Sequence, residues 1–357
     1  MINPFQFQTG GRLLDGAPDA LARSAGRFAA QPVDFLWQTE PGDAHSPRMT
    51  TLAKPSQPVS GRGTFKGRAT RTLAFLPSEK PGWWIRRADL HEQFMVEVSP
   101  RNIWTTQRNI VLRSGSPRNY LRMVEHIVAL RLGMGVDDVT IRVDSGDPPL
   151  FDRSSMDLIE TIDKAQIIER DEPATFVTVK EPVTFGGNRG DFLTFLPPEN
   201  GEKKLRLDCA IDFNSVIGKQ RIVFDVTPET FRYGAYARTN ATHRQMLLAK
   251  TIGIIRADMR NLGYTKQNIL IHGRKKFYNE PRFVQKVGAN NYSPVQGGKA
   301  LEPVWHRATL DLLAAIALID KGRFVGRFVS YRAGHTLDVR AVAQLYLHDL
   351  LEVIRER

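Results

Sequence analysis

Two patterns of apolar and polar positions divide the chain into predicted elements. Alternating apolar and polar residues near 71–77, 91–98 and 138–144 predict β-strands. From Asn119 the apolar period lengthens to that of a helix, with Leu121, Val124, Val128 and Leu132 on one stripe that ends at Gly133. A second helix is expected within 147–165. The first half therefore predicts the order strands, helix, strand, helix.

The same order recurs after a polar segment at 169–173, which we interpret as a joint. Strands are predicted at 175–183, 204–213, 221–228 and 268–273, helices at 243–263 and 306–320, and a final helix from Val339 to Arg355. The pattern predicts an α+β fold of two tandem units of similar topology, with helices packed between two sheets. The predicted domains are 59–172 and 173–357.

Residues 1–58 show neither period and are rich in Gly, Ala, Pro, Ser and Thr. We interpret them as an N-terminal extension that is partly irregular, with a short helix at Asp19 to Ala30.

Composition indicates a soluble globular protein, because 41% of the 357 residues are hydrophobic and 25% are charged. The single cysteine, Cys209, excludes an intramolecular disulfide and a cysteine-based zinc cluster, and it favours a reducing, cytoplasmic location. The start of the chain lacks the features of a signal peptide, and no run of eighteen apolar residues occurs. Neither secretion nor membrane spanning is predicted.

The formal net charge of +12 fits a polyanionic partner: nucleic acid, an anionic membrane face or a phosphorylated substrate. Basic residues are spread along the chain and do not alternate with aromatic residues, so we predict no nucleic-acid partner. Peripheral contact with an anionic membrane stays open. We expect a monomer.

The residues that could carry chemistry are few, since the sequence has no glycine-rich phosphate loop, HExxH motif or GxSxG motif. Glu125 and His126 are neighbours on an otherwise apolar helix, and a buried polar group without partners costs about 2 to 7 kcal/mol. His306 and Asp311 lie on a predicted helix, and His335 lies in a turn-like segment. Taken singly, each is more often a structural or surface residue. Together they supply zinc ligands, a general base and a general acid.

Three stretches resemble the UDP-3-O-acyl-N-acetylglucosamine deacetylases of lipid A biosynthesis. YLRMVEHIVALRLGMGVDDVTIRVD is similar to that family's VEH helix and the strand that follows it. The segment from LRLDCAIDF to YARTNA resembles its IDF and ART motifs, and RFVGRFVSYRAGHTL resembles its closing GHxL motif. The motifs are in order from about Ser60 to Gln344, which is more specific than any single motif.

The resemblance implies a zinc-dependent amidohydrolase that removes the acetyl group from a UDP-linked acylated amino sugar. It implies His126, His306 and Asp311 as zinc ligands and Glu125 as the base that takes a proton from zinc-bound water. His335 would stabilise the transition state as a cation or protonate the leaving amine.

The resemblance also assigns groups that bind the substrate. Thr239 would steady the oxyanion. Asp212 and Phe213 fall on nucleotide-recognition positions, while Arg307 and Arg332 stand where the family has lysines near the diphosphate. An insert near 262–285 corresponds to an acyl-chain passage.

The ligand spacing departs from the family, whose His and Asp are four residues apart, whereas His306 and Asp311 are five apart. On a regular helix five residues leave the side chains about 140° apart, against about 40° for four. Either His306 lies at a non-helical entrance after Pro303, or a π-bulge restores the common face. Alternatively, Arg307 and Asp311 form an ion pair and no zinc binds.

Other positions also depart from the family. The carboxylate expected to orient the catalytic histidine falls on Ala315, for which Asp338 is a candidate substitute. Phe65 replaces a family histidine, and Arg153 interrupts the family's MDGS. Cations at 274–276 do not suit a lipid passage. Two hypotheses remain: the zinc amidohydrolase, and a metal-free divergent paralogue that binds a nucleotide sugar or acts as a regulatory protein.

Overall fold

The helices of the computed structural model include a π-helical turn. The structure describes residues 11–40, 46–78, 80–92, 94–251, 263–282, 286–287, 290–291 and 299–354. Its helices are α1 (Pro18–Ala29), α2 (Glu125–Gly133), α3 (Met156–Ala165), α4 (Pro228–Gly234), α5 (His243–Thr251), α6 (Glu302–His306), a π-helix (Arg307–Leu312), α7 (Leu313–Ala317) and α8 (His335–Leu347). Single 3₁₀ turns lie at Pro100–Asn102 and Glu199–Gly201.

Strands lie before, between and after these helices along the chain. In the first half they are β1 (Arg12–Asp15), β2 (Phe35–Trp37), β3 (Arg48–Leu52), β4 (Val59–Gly63), β5 (Thr70–Pro77), β6 (Trp83–Arg87), β7 (Val96–Glu97), β8 (Ile103–Thr105), β9 (Val111–Arg113), β10 (Tyr120–Leu121), β11 (Val139–Val143), β12 (Pro149–Leu150) and β13 (Ile167–Pro173). In the second half they are β14 (Phe176–Val179), β15 (Val183–Gly186), β16 (Phe192–Leu196), β17 (Leu205–Phe213), β18 (Gly218–Asp225), β19 (Thr239–Thr242), β20 (Ile269–His272), β21 (Lys286–Val287), β22 (Asn290–Asn291), β23 (Arg323–Phe324), β24 (Gly326–Tyr331) and β25 (Leu351–Ile354).

A seven-stranded sheet carries the second half of the chain, in the order β1-β15-β16-β24-β17-β18-β2. Its longest pairing is antiparallel and runs from Arg206↔Asp225 to Phe213↔Gly218 between β17 and β18. The two edges are occupied by β1 and β2. The segment predicted as an extension therefore supplies both edge strands of this sheet.

A six-stranded sheet carries the first half, in the order β12-β4-β5-β11-β6-β7. Two smaller sheets join distant segments: β13 pairs with β3, and β14 lies between β23 and β25. In a further small sheet, β9 lies between β10 and β8.

The helices contact both large sheets and one another. Helix α3 packs on β4 and β5, whereas α6, the π-helix and α8 pack on strands of the seven-stranded sheet, and α2 packs against α7 and the π-helix. One continuous apolar cluster includes residues of both sheets and of these helices. The α+β class predicted from the sequence is confirmed. The similar topology of two tandem units and the domain boundaries stay predictions.

Two predicted elements of the first half are wrong. The helix expected from Asn119 starts only at Glu125, because Tyr120 and Leu121 pair with β9 and Met123 has a φ of 46° that no right-handed helix accommodates. The segment at 169–173 is part of a strand and not a joint. Its charged residues gave no strand pattern in the sequence. The pairing with β3 nevertheless forms, because it uses backbone groups and does not depend on side-chain polarity.

The C-terminal prediction is also wrong in part. Helix α8 ends at Leu347, and β25 then pairs antiparallel with β14 from Val179↔Leu351 to Phe176↔Ile354. Asp349 has a φ of 49°, which reverses the chain between the two elements. Residue 355 of the predicted helix and residues 252–262 of the helix predicted at 243–263 lie outside the described residues. Among those that are described, no helix is both long and apolar enough to span a bilayer.

Gly133 marks a close approach between two helices. A Cβ at this position would lie 2.2 to 2.4 Å from ring atoms of Phe231, which is fully buried in α4. Only glycine therefore permits this contact. In contrast, a Cβ at Gly26 of α1 would meet no atom within 4 Å.

We predict opposite effects of alanine at these two glycines. Gly133→Ala overpacks the contact with Phe231 and should lower the free energy of unfolding by about 1 to 3 kcal/mol. Gly26→Ala should raise it by about 0.5 to 1 kcal/mol, because alanine loses less backbone entropy in a helix. Urea denaturation followed by circular dichroism measures both. Equal stability of the two variants would contradict the close packing of α2 on α4.

Candidate functional site

The helix that carries His306 and Asp311 contains one continuous π-turn. Helix α6 begins at Glu302, so His306 is helical and the predicted non-helical entrance is wrong. From Arg307 to Leu312 the backbone is π-helical, and α7 continues it without a break. A π-turn takes one more residue than an α-turn, so residues five apart share a face. His306 Nδ1 lies 3.6 Å from Asp311 Oδ2.

The alternative ion pair between Arg307 and Asp311 is not formed. Arg307 instead donates from Nη1 to Asp338 Oδ2 and from Nη2 to Asp338 Oδ1, both at 2.6 Å. The side chains of Arg307 and Asp338 are buried. Asp311 therefore interacts with His306 and His335 and forms no ion pair with Arg307.

Glu125 occupies the first position of α2 and is almost fully buried. Its Oε1 accepts a hydrogen bond from the backbone N–H of Ile110, while Oε2 has no hydrogen-bond partner among the described residues. Burial raises the pKa of Glu125 to about 7, against the opposing effect of the nearby His335. A carboxylate with a pKa near neutrality is suited to accept a proton.

His126 follows directly and faces the π-helix. Its Nε2 lies 3.2 Å from Nε2 of His306, and the two rings are tilted by 56°. Burial lowers the pKa of His126 to about 3, and the proximity of His306 acts in the same direction. The ring is therefore neutral at physiological pH, which leaves a nitrogen lone pair available to a metal.

Asp311 and His335 form the opposite side of the cluster. Burial alone would raise the pKa of the Asp311 carboxyl, but His306 and His335 outweigh it and hold the pKa well below its usual range. His335 Nε2 lies 3.8 Å from Asp311 Oδ1 and 3.7 Å from Glu125 Oε1. Burial favours the neutral His335 ring, yet Asp311 and Glu125 together raise its pKa. The carboxylate of Asp311 and the imidazole of His335 thus each favour the charged form of the other.

The donor types in this cluster fit zinc, since two imidazoles and one carboxylate are a common zinc ligand set. Two nitrogens bound to one tetrahedral zinc lie about 3.3 Å apart, and the Nε2 atoms of His126 and His306 are 3.2 Å apart. Asp311, however, faces Nδ1 of His306 and not this pair of Nε2 atoms. Accordingly, the described part of the chain contains no group of three or more His, Cys, Asp or Glu side chains arranged to hold a metal.

A polar cavity of about 440 Å³ opens beside the cluster. It is lined by seven of the residues singled out from the sequence: Asp212, Phe213, Thr239, His306, Arg307, Asp311 and Arg332. The turn between β15 and β16 adds Arg189 and Asp191. Sequence reasoning missed these two, because the fold places their turn beside residues more than a hundred positions away, such as His306 and Arg332.

The wall that carries Thr239 is fixed by a buried ion pair that the sequence analysis also missed. Arg238 donates from Nε to Glu302 Oε1 at 2.7 Å and from Nη2 to Glu302 Oε2 at 3.1 Å. Glu302 opens α6, so the pair ties the strand of Thr239 to the helix of His306. The sequence contained two signals for this pair: the arginine of the ART motif and a glutamate four residues before His306.

A separate apolar cluster lies near the start of α2. It comprises Leu150, Met246, Tyr264, Ile269 and Ile271, with Met123 packed against it. The Tyr264 hydroxyl lies 3.4 Å from Met123 Sδ, two residues before Glu125.

The two sets of cations that departed from the family pattern both face solvent. The side chains at 274–276, which the sequence suggested would disturb a lipid passage, are exposed beyond the end of β20. Arg153 pairs with Asp157 and Glu160 at the exposed side of α3.

Comparison with known proteins gives one consistent family. The model of the family "UDP-3-O-acyl N-acetylglycosamine deacetylase" matches residues 49–347. The UDP-3-O-acyl-N-acetylglucosamine deacetylase of Bdellovibrio bacteriovorus is 27% identical over 81% of this chain and 86% of its own length. Those of Campylobacter jejuni and Brucella ovis are 25% and 26% identical, over 82% and 80% of this chain and 89% and 91% of their own lengths. With the family model covering most of its length, the chain belongs to the UDP-3-O-acyl N-acetylglycosamine deacetylase family.

Proposed function

We propose that this chain is a zinc-dependent amidohydrolase that removes the acetyl group from a UDP-linked acylated amino sugar. The observation that carries the proposal is the π-turn, which returns His306 and Asp311 to one face opposite the Glu125–His126 pair. A regular helix would have separated them. The names of the relatives, all UDP-3-O-acyl-N-acetylglucosamine deacetylases, support the substrate class.

His126, His306 and Asp311 would hold the zinc. Bound there, zinc would lower the pKa of a water molecule to about 7 and polarise the amide carbonyl. The Asp311 carboxylate has to turn from Nδ1 of His306 towards the Nε2 pair for all three side chains to act as ligands.

The proton transfers fall to Glu125 and His335. Glu125 takes a proton from the attacking water through Oε2, the buried oxygen that has no partner among the described residues. His335, whose pKa is raised by Asp311 and Glu125 against the effect of burial, stabilises negative charge on the tetrahedral intermediate or protonates the leaving amine. Thr239 lines the same cavity, and its hydroxyl would steady the oxyanion.

Substrate binding divides between a polar and an apolar surface. The cavity presents Phe213 and Asp212 to a nucleotide and Arg332 and Arg189 to a diphosphate. Arg307 was predicted for the diphosphate, but both of its terminal nitrogens bond to Asp338. The apolar cluster around Tyr264 and Met123 suits an acyl chain.

A metal-free paralogue that binds a nucleotide sugar is the second candidate. The position of Asp311 beside Nδ1 of His306, away from the Nε2 pair, favours it. The cytoplasmic location, the monomeric state and peripheral contact with an anionic membrane stay predictions.

We predict that Glu125→Gln abolishes hydrolysis of an acylated UDP-N-acetylglucosamine and leaves zinc content unchanged. Glutamine keeps a carbonyl oxygen for the Ile110 N–H but cannot accept the proton of the attacking water. His306→Ala should lose both zinc and activity, because a two-ligand site binds zinc weakly. Product formation by mass spectrometry and zinc by plasma mass spectrometry measure the outcome.

Glu160→Gln, a substitution on the exposed side of α3, is the matched control and should change neither quantity. Wild-type protein that holds no zinc and hydrolyses nothing after zinc is added would favour the metal-free paralogue. Zinc retained at full occupancy in His306→Ala would show the ligand assignment to be wrong.

We also predict that UDP raises the melting temperature. A ligand that binds only the native state raises the free energy of unfolding by about 2.7 kcal/mol when its concentration is a hundred times its dissociation constant. Phe213→Ala and Arg332→Ala should each reduce the shift, since both residues line the cavity. Lys54→Ala, an exposed cation outside the lining residues, should leave it intact. A melting temperature that does not move at millimolar UDP would contradict a nucleotide site.

A further inference from the structure

The buried pair of Arg307 and Asp338 joins the two elements that carry opposite sides of the cluster. Arg307 is the first residue of the π-helix and follows His306 directly, whereas Asp338 lies in the first turn of α8, three residues after His335. The two hydrogen bonds between them are both 2.6 Å long, and the Asp338 side chain is fully buried. This geometry is bidentate, which fixes orientation as well as distance.

His335 has few other polar contacts that could hold its ring. Its Nδ1 is buried without a hydrogen-bond partner in the described part of the chain. Its Nε2 lies 3.7 and 3.8 Å from the carboxylates of Glu125 and Asp311, beyond hydrogen-bond distance. The residue at 315 is alanine and offers no carboxylate. The position of the ring therefore depends on where the first turn of α8 is held.

A buried ion pair is a costly way to gain stability. Desolvation of both charges offsets most of their attraction, and apolar replacements of such pairs are often neutral. Both oxygens of Asp338 accept hydrogen bonds from Arg307, so its main partner is Arg307 and not His335. A role in orientation accounts for a pair at this place better than a role in stability does.

We propose that Arg307 and Asp338 are a positioning pair that sets the His335 ring against Glu125 and Asp311. The pair acts through the backbone of α8 and touches no reacting atom. The inference rests on the proposed deacetylase function, in which His335 handles charge and protons. It also gives Arg307 a role other than the predicted binding of the diphosphate.

The test is the double variant Arg307→Met/Asp338→Asn, which removes the pair without leaving a buried unpaired charge. We expect KM and zinc content to stay unchanged and kcat to fall by about 10- to 100-fold, the cost of a misplacement of about 1 Å. Arg307→Lys, which keeps the charge but loses the fork, should retain part of kcat.

The matched control is Arg206→Met/Asp225→Asn. This pair also has a buried aspartate and two hydrogen bonds, of 2.7 and 3.3 Å, but lies outside the cavity. It should lower the melting temperature and leave kcat unchanged. A raised KM with unchanged kcat in the Arg307/Asp338 variant would make Arg307 a substrate ligand and overturn the proposal. So would an unchanged kcat with unchanged KM.

Crystal structures of wild type and both double variants separate this inference from the proposed function. In the Arg307/Asp338 variant at least one of the two distances from His335 Nε2, 3.7 Å to Glu125 and 3.8 Å to Asp311, should lengthen by about 1 Å. The control variant should keep both distances. A displaced ring in a protein that hydrolyses nothing would support the positioning pair and contradict the deacetylase function, whereas an unmoved ring would overturn the positioning pair whatever the activity.

Discussion

His306 and Asp311 are five residues apart, one more than the family spacing of four. The extra residue adds about 100° of rotation on a regular helix, and unless the helix absorbs it the side chains of His306 and Asp311 point in different directions. The π-turn at Arg307–Leu312 absorbs this rotation, and α6 and α7 adjoin the turn without a break. Both neighbours of this turn are fixed: Glu302 of α6 by Arg238, and α7 by the apolar packing against α2. The remaining geometry of the cluster depends on this turn, because the turn positions Asp311, and the rings of His306 and His335 both lie close to its carboxylate.

Burial then determines the charges that such a cluster adopts. Removing water raises the pKa of Glu125 to about 7 and lowers that of His126 to about 3. Asp311 keeps its charge because His306 and His335 compensate for its burial. One environment thus produces a proton acceptor, a neutral imidazole and an ionised carboxylate within a few ångströms. That separation of roles is what acid–base chemistry at neutral pH requires.

The chain outside the family match also supports the site. Residues 11–40 lie before the matched range of 49–347, yet β1 and β2 complete the two edges of the sheet that carries Asp212 and Phe213. Helix α1 contacts the turn beside Arg189, where a Cβ on Gly190 would lie 2.4 Å from the Ser24 hydroxyl. The N-terminal segment therefore packs against the sheet and the turn that supply part of the cavity wall.

The sequence by itself determined the α+β class, the strands β5, β11, β17 and β18 of the two large sheets and the family, because hydrophobic periods and ordered motifs are local properties. It also offered the π-turn as one of two ways to reconcile His306 with Asp311. Only the tertiary structure decided between them, since a π-turn is stable only where packing on both sides holds it. The partner of Arg307, the inclusion of Arg189 and the strand at 169–173 likewise depend on contacts between distant segments. Local patterns carry no information about such contacts, because each residue satisfies its charge or its backbone hydrogen bonds with whichever partner the fold brings near.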